Sequence, residues 1–219
     1  MGRIVFQDKL NELSDSLIEM ADMVENNIEK ALAAFETDNK ELAGEIMIGD
    51  KEIDDMQRSI ESQCLSLMLH QQPVAKDLRR VSSALKIVTD LERIGDHATD
   101  IAELVTRIGN VNVLNNVSHI IEMAAKAKAM MKNAIKAYVE SDFELAEKTI
   151  ADDDEVDELF NLVKEDVARA LAEKTESIDD CIDIIMIAKY LERIGDHATN
   201  ICEWAEFNQT GNVKNVRLM

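Results

Sequence analysis

The sequence predicts an all-α protein built as two tandem three-helix bundles related by an internal duplication. Three observations predict it. The nonapeptide LERIGDHAT occurs at Leu91–Thr99 and again at Leu191–Thr199, one hundred positions on. Glycine and proline are scarce, 7 and 1 in 219 residues, whereas Ala, Leu, Ile, Glu, Lys and Met abound, a composition of long helices. Apolar residues recur in alternating steps of four and three. One copy has Ile87, Leu91, Ile94, Ala98, Ile101, Val105 and Ile108; the other has Ile187, Leu191, Ile194, Ala198, Ile201 and Ala205. That alternation is the seam of closely packed antiparallel helices.

The duplication extends beyond the nonapeptide. The stretch 33–56 lies over 137–159, pairing Asp50 with Asp153, Glu52 with Glu155 and Asp54 with Asp157. The copies therefore span about residues 1–110 and 111–210, with 211–219 left as a tail. Each copy reads as three helices. The first helix runs from about Asp8 to Glu36, and the link FETD leads to a second from about Asn39 to Leu69. HQQP then breaks the pattern, because Pro73 suits a helix start and not an interior. The third helix runs from about Val74 to Ile108, where GNVN ends it. The second copy repeats the plan at about Asn115–Glu140, Asp142–Lys174 and Ser177–Asn208. Ser177 with Asp180 resembles a capping box, with Asp in place of Glu. No segment reads as a strand.

Composition narrows the function. Hydrophobic residues are 46% and charged residues 31%, enough to bury a core and unlike a disordered chain. The net charge of -20 disfavours direct contact with nucleic acid or with anionic lipid. No apolar run approaches the length of a membrane span, so membrane insertion is not expected. No signal peptide is visible, and Cys64, Cys181 and Cys202 lack C-x-x-C spacing. Buried, reduced thiols in a soluble, cytoplasmic protein are the expectation.

The repeated motif also places acids off the apolar seam. Glu92, Asp96 and Asp100 follow at intervals of four, and Glu103 three later; the second copy has Glu192, Asp196, Asn200 and Glu203. The preceding helices supply Asp50 with Asp54 and Asp153 with Asp157. Like charges at i, i+4 destabilise a helix by about 0.2–0.5 kcal/mol per pair. Glu92 has no basic residue three or four positions away, and Asp96 has only Arg93. A solvated face would not require the same nine residues twice. Something positive is expected between the columns: one or more metal cations, or a basic side chain from this chain or a partner. Oxygen-only sites suit Mg, Mn, Fe or Ca. Gly95 and Gly195, each costing about 1 kcal/mol in a helix, are expected to admit a neighbouring backbone. His97 and His197 project about 100° away and read as supporting or surface residues. His70 and His119 carry no evident role. A ferritin-like di-iron centre would need Glu-x-x-His, and no His here has Glu three residues before it. No nucleophile–base arrangement and no glycine-rich phosphate loop is present, so an enzyme is not expected.

LERIGDHATDIAE and LERIGDHATNICEW resemble the doubled E-x-x-x-D signature of the PhoU family, and HQQPVAKDLRRV resembles the segment before that family's third helix. The resemblance covers almost the whole chain. It implies a cytoplasmic negative regulator of phosphate uptake and of the phosphate-starvation response. It implies coupling of the ATPase subunit of a phosphate ABC transporter to a sensor histidine kinase, and a homodimer. It also implies metal (Fe, Zn, Mn or Mg) at Glu92, Asp96 and Asp100 and at Glu192 and Asp196, with Asp50, Asp54, Asp153 and Asp157 contributing. Asn200, where the first copy has Asp100, would leave the second site one charge short. Two rivals stay open: a metal-free helical adaptor and a metal-dependent hydrolase.

Overall fold

The computed structural model describes residues 2–71, 73, 75–109, 117–173, 177–213 and 216–217. The first repeat folds as α1 (Gly2–Thr37), α2 (Lys40–Gln71) and α3 (Lys76–Arg107). The second folds as α4 (His119–Glu140), α5 (Phe143–Ala151), α6 (Asp153–Glu173) and α7 (Ile178–Thr210). The predicted seam is the core. Ile87, Leu91, Ile94, Ala98 and Ile101, with Ile187, Leu191, Ile194, Ala198 and Ile201, are all at most 1% exposed. Burying one large aliphatic side chain contributes about 1.5–3 kcal/mol, so these stripes dominate the favourable side of folding.

The motif helices are central. α3 packs on α1 and α2, α7 packs on α4, α5 and α6, and the two pack on each other. They run antiparallel. At one end Arg79 Nε donates to the Asn208 carbonyl (3.3 Å), and at the other the Gly109 N–H donates to Asp180 Oδ1 (3.0 Å). His197 meets Asp90 while His97 meets Tyr190, the same two positions with the copies exchanged. The repeats are thus related by an approximate two-fold axis through the paired LERIGDHAT segments.

Several boundaries differ from expectation, each for a local reason. α3 begins at Lys76, not Val74, because Ala75 takes a left-handed φ of 46° that a helix cannot continue. Val74, Asn115 and Lys174 lie outside the described residues. The expected helix from Asp142 to Lys174 is two helices, broken at Asp152. The run Asp152–Asp153–Asp154–Glu155 explains the break: Asp disfavours a helix interior and favours a first turn. Ser177 does cap α7, accepting from the Asp180 N–H at 3.0 Å, but the Asp180 carboxylate serves Gly109 of the other repeat. Gly211, at φ 75°, closes α7 with its N–H on the Phe207 carbonyl. Beyond it an unexpected two-residue ladder pairs β1 (Asn212–Val213) with β2 (Val216–Arg217), antiparallel. The three cysteines are buried and free, and burial pushes the Cys64 and Cys202 thiols up to about 12.

Candidate functional site

Each repeat sets two carboxylates of its second long helix against the motif helix. In the first, burial is the main cause that raises the Glu92 carboxyl above the ordinary range, and the charges of Asp96, Asp54 and Asp50 add to it. Burial likewise raises Asp96, with Asp50 next. Thr99 of the motif donates to Asp50 Oδ1 at 2.9 Å, tying α3 to α2. The four acids Asp50, Asp54, Glu92 and Asp96 therefore feel one another, as the spacing suggested. Neutralisation is greater than expected. Arg93 lies 3.5 Å from Glu92 Oε2 and 3.1 Å from Asp96 Oδ2, and Arg58 reaches Asp54 Oδ2 at 3.4 Å. Even so, Glu92 Oε2 is buried and accepts no hydrogen bond.

The second repeat gathers Asp153, Asp157, Glu192 and Asp196. Burial, then Asp196, Asp157, Asp154 and Glu192, raise Asp153 from 3.8 to about 6. Asp196 is raised by burial first and Glu192 second, against Arg193, whose Nη1 stands 3.6 Å from Asp196 Oδ2. One cation has no counterpart in the first copy: the Lys189 ammonium bonds Glu192 Oε2. It sits three residues before Glu192, a spacing visible in the sequence but not weighed there, where the corresponding residue of the first copy is Thr89.

The glycines do admit a close neighbour, but a side chain and not a backbone. A Cβ on Gly95 would stand 3.2 Å from two Ile53 atoms, and one on Gly195 only 3.0 Å from Asp153 Oδ1.

Asp100 and Asn200 do not join these clusters. At about 100° per residue, a step of four turns each some 40° onward, toward the other repeat. Asp100 Oδ2 lies 3.4 Å from His97 Nδ1, and Asn200 Nδ2 donates to Asp90 Oδ1 at 3.2 Å. The histidines are seam residues and not surface ones. His197 Nδ1 meets Asp90 Oδ1 at 2.8 Å, the His97 ring stacks on Tyr190 at 5.5 Å, and the two imidazoles are 5.6 Å apart. His119 is not incidental either. Its Nδ1 stands 2.6 Å from Oδ2 of Asp166, a buried carboxylate that also faces Arg169. No sequence signal marked that pair, since its partners are 47 positions apart.

Among the described residues, no three His, Cys, Asp or Glu side chains converge closely enough to hold a cation as they stand. The donor chemistry nonetheless fits one. The oxygens are hard, four acids adjoin in each repeat, and the buried Glu92 Oε2 accepts no hydrogen bond, with the Arg93 guanidinium 3.5 Å away.

Comparisons with known proteins match the chain at both repeats. The PhoU domain model fits residues 17–105 and again 120–205. A phosphate-specific transport system accessory protein PhoU homolog of Clostridium acetobutylicum is 38% identical over 212 residues, covering 96% of this chain and 97% of the relative. A homolog of the same description from Caulobacter vibrioides is 32% identical over 207 residues, 94% of this chain and 90% of its own. The crystal structure of the phosphate transport system regulatory protein PhoU from Streptococcus pneumoniae matches with a TM-score of 0.87 at 27% identity, over 96% of this chain and 100% of that one. PhoU from Pseudomonas aeruginosa matches at 0.85 and 28%, over 94% and 100%. Two domain matches, full-length relatives and a shared architecture together place this chain in the PhoU family.

Proposed function

We propose that this chain is a cytoplasmic accessory regulator of a phosphate-specific transport system, restraining phosphate uptake and the phosphate-starvation response without catalysing a reaction. The observation that carries this reading is the end-to-end relation to PhoU accessory proteins, 38% identity over 96% of the chain in one case. The regulator acts as a homodimer and couples the transporter's ATPase subunit to a sensor histidine kinase. The sites support a binding role. They hold clustered acids, and the one hydroxyl described against them, Thr99 on Asp50, ties α3 to α2.

The carboxylate clusters bind divalent cations. Asp50, Asp54, Glu92 and Asp96 serve the first repeat, and Asp153, Asp157, Glu192 and Asp196 the second. A bound cation would neutralise acids that otherwise repel across each helix pair and would so stabilise the bundle. Asp100 and Asn200 face the seam and are left out of this set. The test is deletion of the gene. Phosphate accumulation in phosphate-rich medium should rise, and the starvation response should switch on. Unchanged accumulation would refute the regulatory reading. Manganese-dependent phosphate-ester turnover, lost in Asp96→Ala, would replace it with a hydrolase. A purified protein whose melting curve ignores both chelator and added metal would leave a metal-free adaptor.

A further inference from the structure

The seam between α3 and α7 opens beside Asp90 into a cleft of about 370 Å³. Lys86, Thr89 and Asp90 of α3 line it, with Asn200, Glu203 and Trp204 of α7. One lining group is a carboxylate held in a fixed attitude. His197 Nδ1 stands 2.8 Å from Asp90 Oδ1, and the Asn200 amide donates to the same oxygen at 3.2 Å. Both contacts fall on Oδ1; among the described residues Oδ2 accepts no hydrogen bond. The seam therefore orients Asp90 through one oxygen and leaves the other for a further donor.

The cleft also has an aromatic wall. Trp204, the one tryptophan of the chain, is half-buried, and the buried Phe207 braces it edge-on with ring centres 5.6 Å apart. Lys86 Nζ lies 5.9 Å from the centre of the indole, so the ring already attracts a cation. Among the described residues Lys86 forms no ion pair, and the ring is what holds its ammonium. Across the two-fold axis the positions of Lys86, Asp90 and Trp204 carry Met186, Tyr190 and Leu104. The combination of indole and oriented carboxylate thus exists in one half of the molecule.

A carboxylate oxygen beside a tryptophan face, in a chain of net charge -20, suits a flat organic cation. A guanidinium fits both groups. It donates in its own plane to a carboxylate, it stacks on an aromatic face, and it is more weakly hydrated than an ammonium. The walls come from α3 and α7 alone, so the cleft can cover one side chain but does not enclose a free molecule. We propose that the cleft between Asp90 and Trp204 is an anchoring site for an arginine side chain presented by a partner protein, with Lys86 as the cation that gives way to it. Buried arginine and tryptophan are the residue types that carry most energy at interfaces. The inference requires neither the metal reading nor the transporter reading.

The experiment titrates capped alanine peptides with a central arginine, lysine or citrulline into the full chain. Calorimetry follows binding, and the emission of Trp204 reports on the cleft itself. The arginine peptide should bind saturably and shift that emission. The lysine peptide should bind more weakly, and citrulline, of the same shape but neutral, should not bind. Asp90→Asn should abolish binding, as should Trp204→Leu, which installs the residue of the other copy. Lys86→Met, at an exposed position, removes the competing cation and should tighten binding about two- to five-fold. Melting curves check that each variant is folded. If Asp90→Asn or Trp204→Leu melts far below the wild type, the citrulline peptide and Lys86→Met decide. No binding of the arginine peptide, equal binding of the citrulline peptide, or weaker binding by Lys86→Met would overturn the inference. An emission shift with inorganic phosphate that Lys86→Met removes would make the cleft an anion site and overturn it equally. Free arginine, whose own carboxylate meets Asp90 and Glu203, should bind less tightly than the capped peptide. Equal affinity would replace the partner protein with a small molecule and overturn the docking role.

Discussion

Asp153 concentrates the electrostatic cost of the site in one side chain. Its carboxyl lies against Gly195, where a Cβ would come within 3.0 Å, and burial with four acidic neighbours lifts it from 3.8 to about 6. A raised folded-state value means that the folded protein holds this proton more tightly than the unfolded chain. The stabilisation from protonation is therefore complete below about pH 4 and is lost as pH rises through about 6. In metal-free buffer the wild type should lose stability across that window. Asp153→Asn keeps the shape and removes the charge, so it should melt higher than wild type at pH 7 and with no advantage at pH 3.5. A domain of this size shifts by about 2–4 °C per kcal/mol, well within reach of calorimetry. An Asn variant that gains nothing at pH 7 would show that Lys189 and Arg193 already neutralise the cluster.

At the scale of helices, closeness is set by Gly95. A Cβ there would meet two atoms of Ile53 at 3.2 Å, and Ile53 is 2% exposed in a packed core. Gly95→Ala gains about 1 kcal/mol of helix propensity. Overpacking a filled core costs about 1–3 kcal/mol. The second effect wins because two contacts tighten at once, so Gly95→Ala should lower the melting temperature, and Ile53→Val in the same chain should recover part of the loss. A higher melting temperature in Gly95→Ala would mean that α2 can slide. This spacing shows why most of the fold was legible in the sequence. The 4–3 alternation of Ile87, Leu91, Ile94 and Ala98 is a property of one helix, and so is the acidic column beside it. What stayed hidden lies between elements. His119 with Asp166, Arg79 with Asn208 and the break at Asp152 depend on which helix neighbours which, or on a single backbone choice, and no period records either. The column itself misled at one step: Asp100 continues the i, i+4 series, yet the accumulated rotation carries it off the site.

For the whole molecule, the decisive surface is the one between α3 and α7. An approximate two-fold axis brings position 90 of one copy against positions 197 and 200 of the other. In one half of the seam Asp90 meets His197 and Asn200; in the other Tyr190 stacks on His97 while Asp100 faces that histidine. Asn200 is explained by this pairing. Its amide donates 3.2 Å to Asp90 Oδ1, where a carboxylate would repel. Asp100 escapes that conflict because the residue opposite is Tyr190, not an acid. The departure from the repeat therefore belongs to the seam that binds the copies together, where a second Asp in place of Asn200 would face Asp90. Asn200→Asp should destabilise the full chain by about 1 kcal/mol, the worth of a lost hydrogen bond plus a like-charge contact near the surface. Adding Asp90→Asn should restore a donor–acceptor pair and most of the stability, so the double variant should melt above the Asn200→Asp single variant. Metal binding should be the same in all three, because position 200 points away from Glu192 and Asp196. If Asn200→Asp instead melts like wild type and binds Mn(II) more tightly, position 200 belongs to the carboxylate site and the seam tolerates charge.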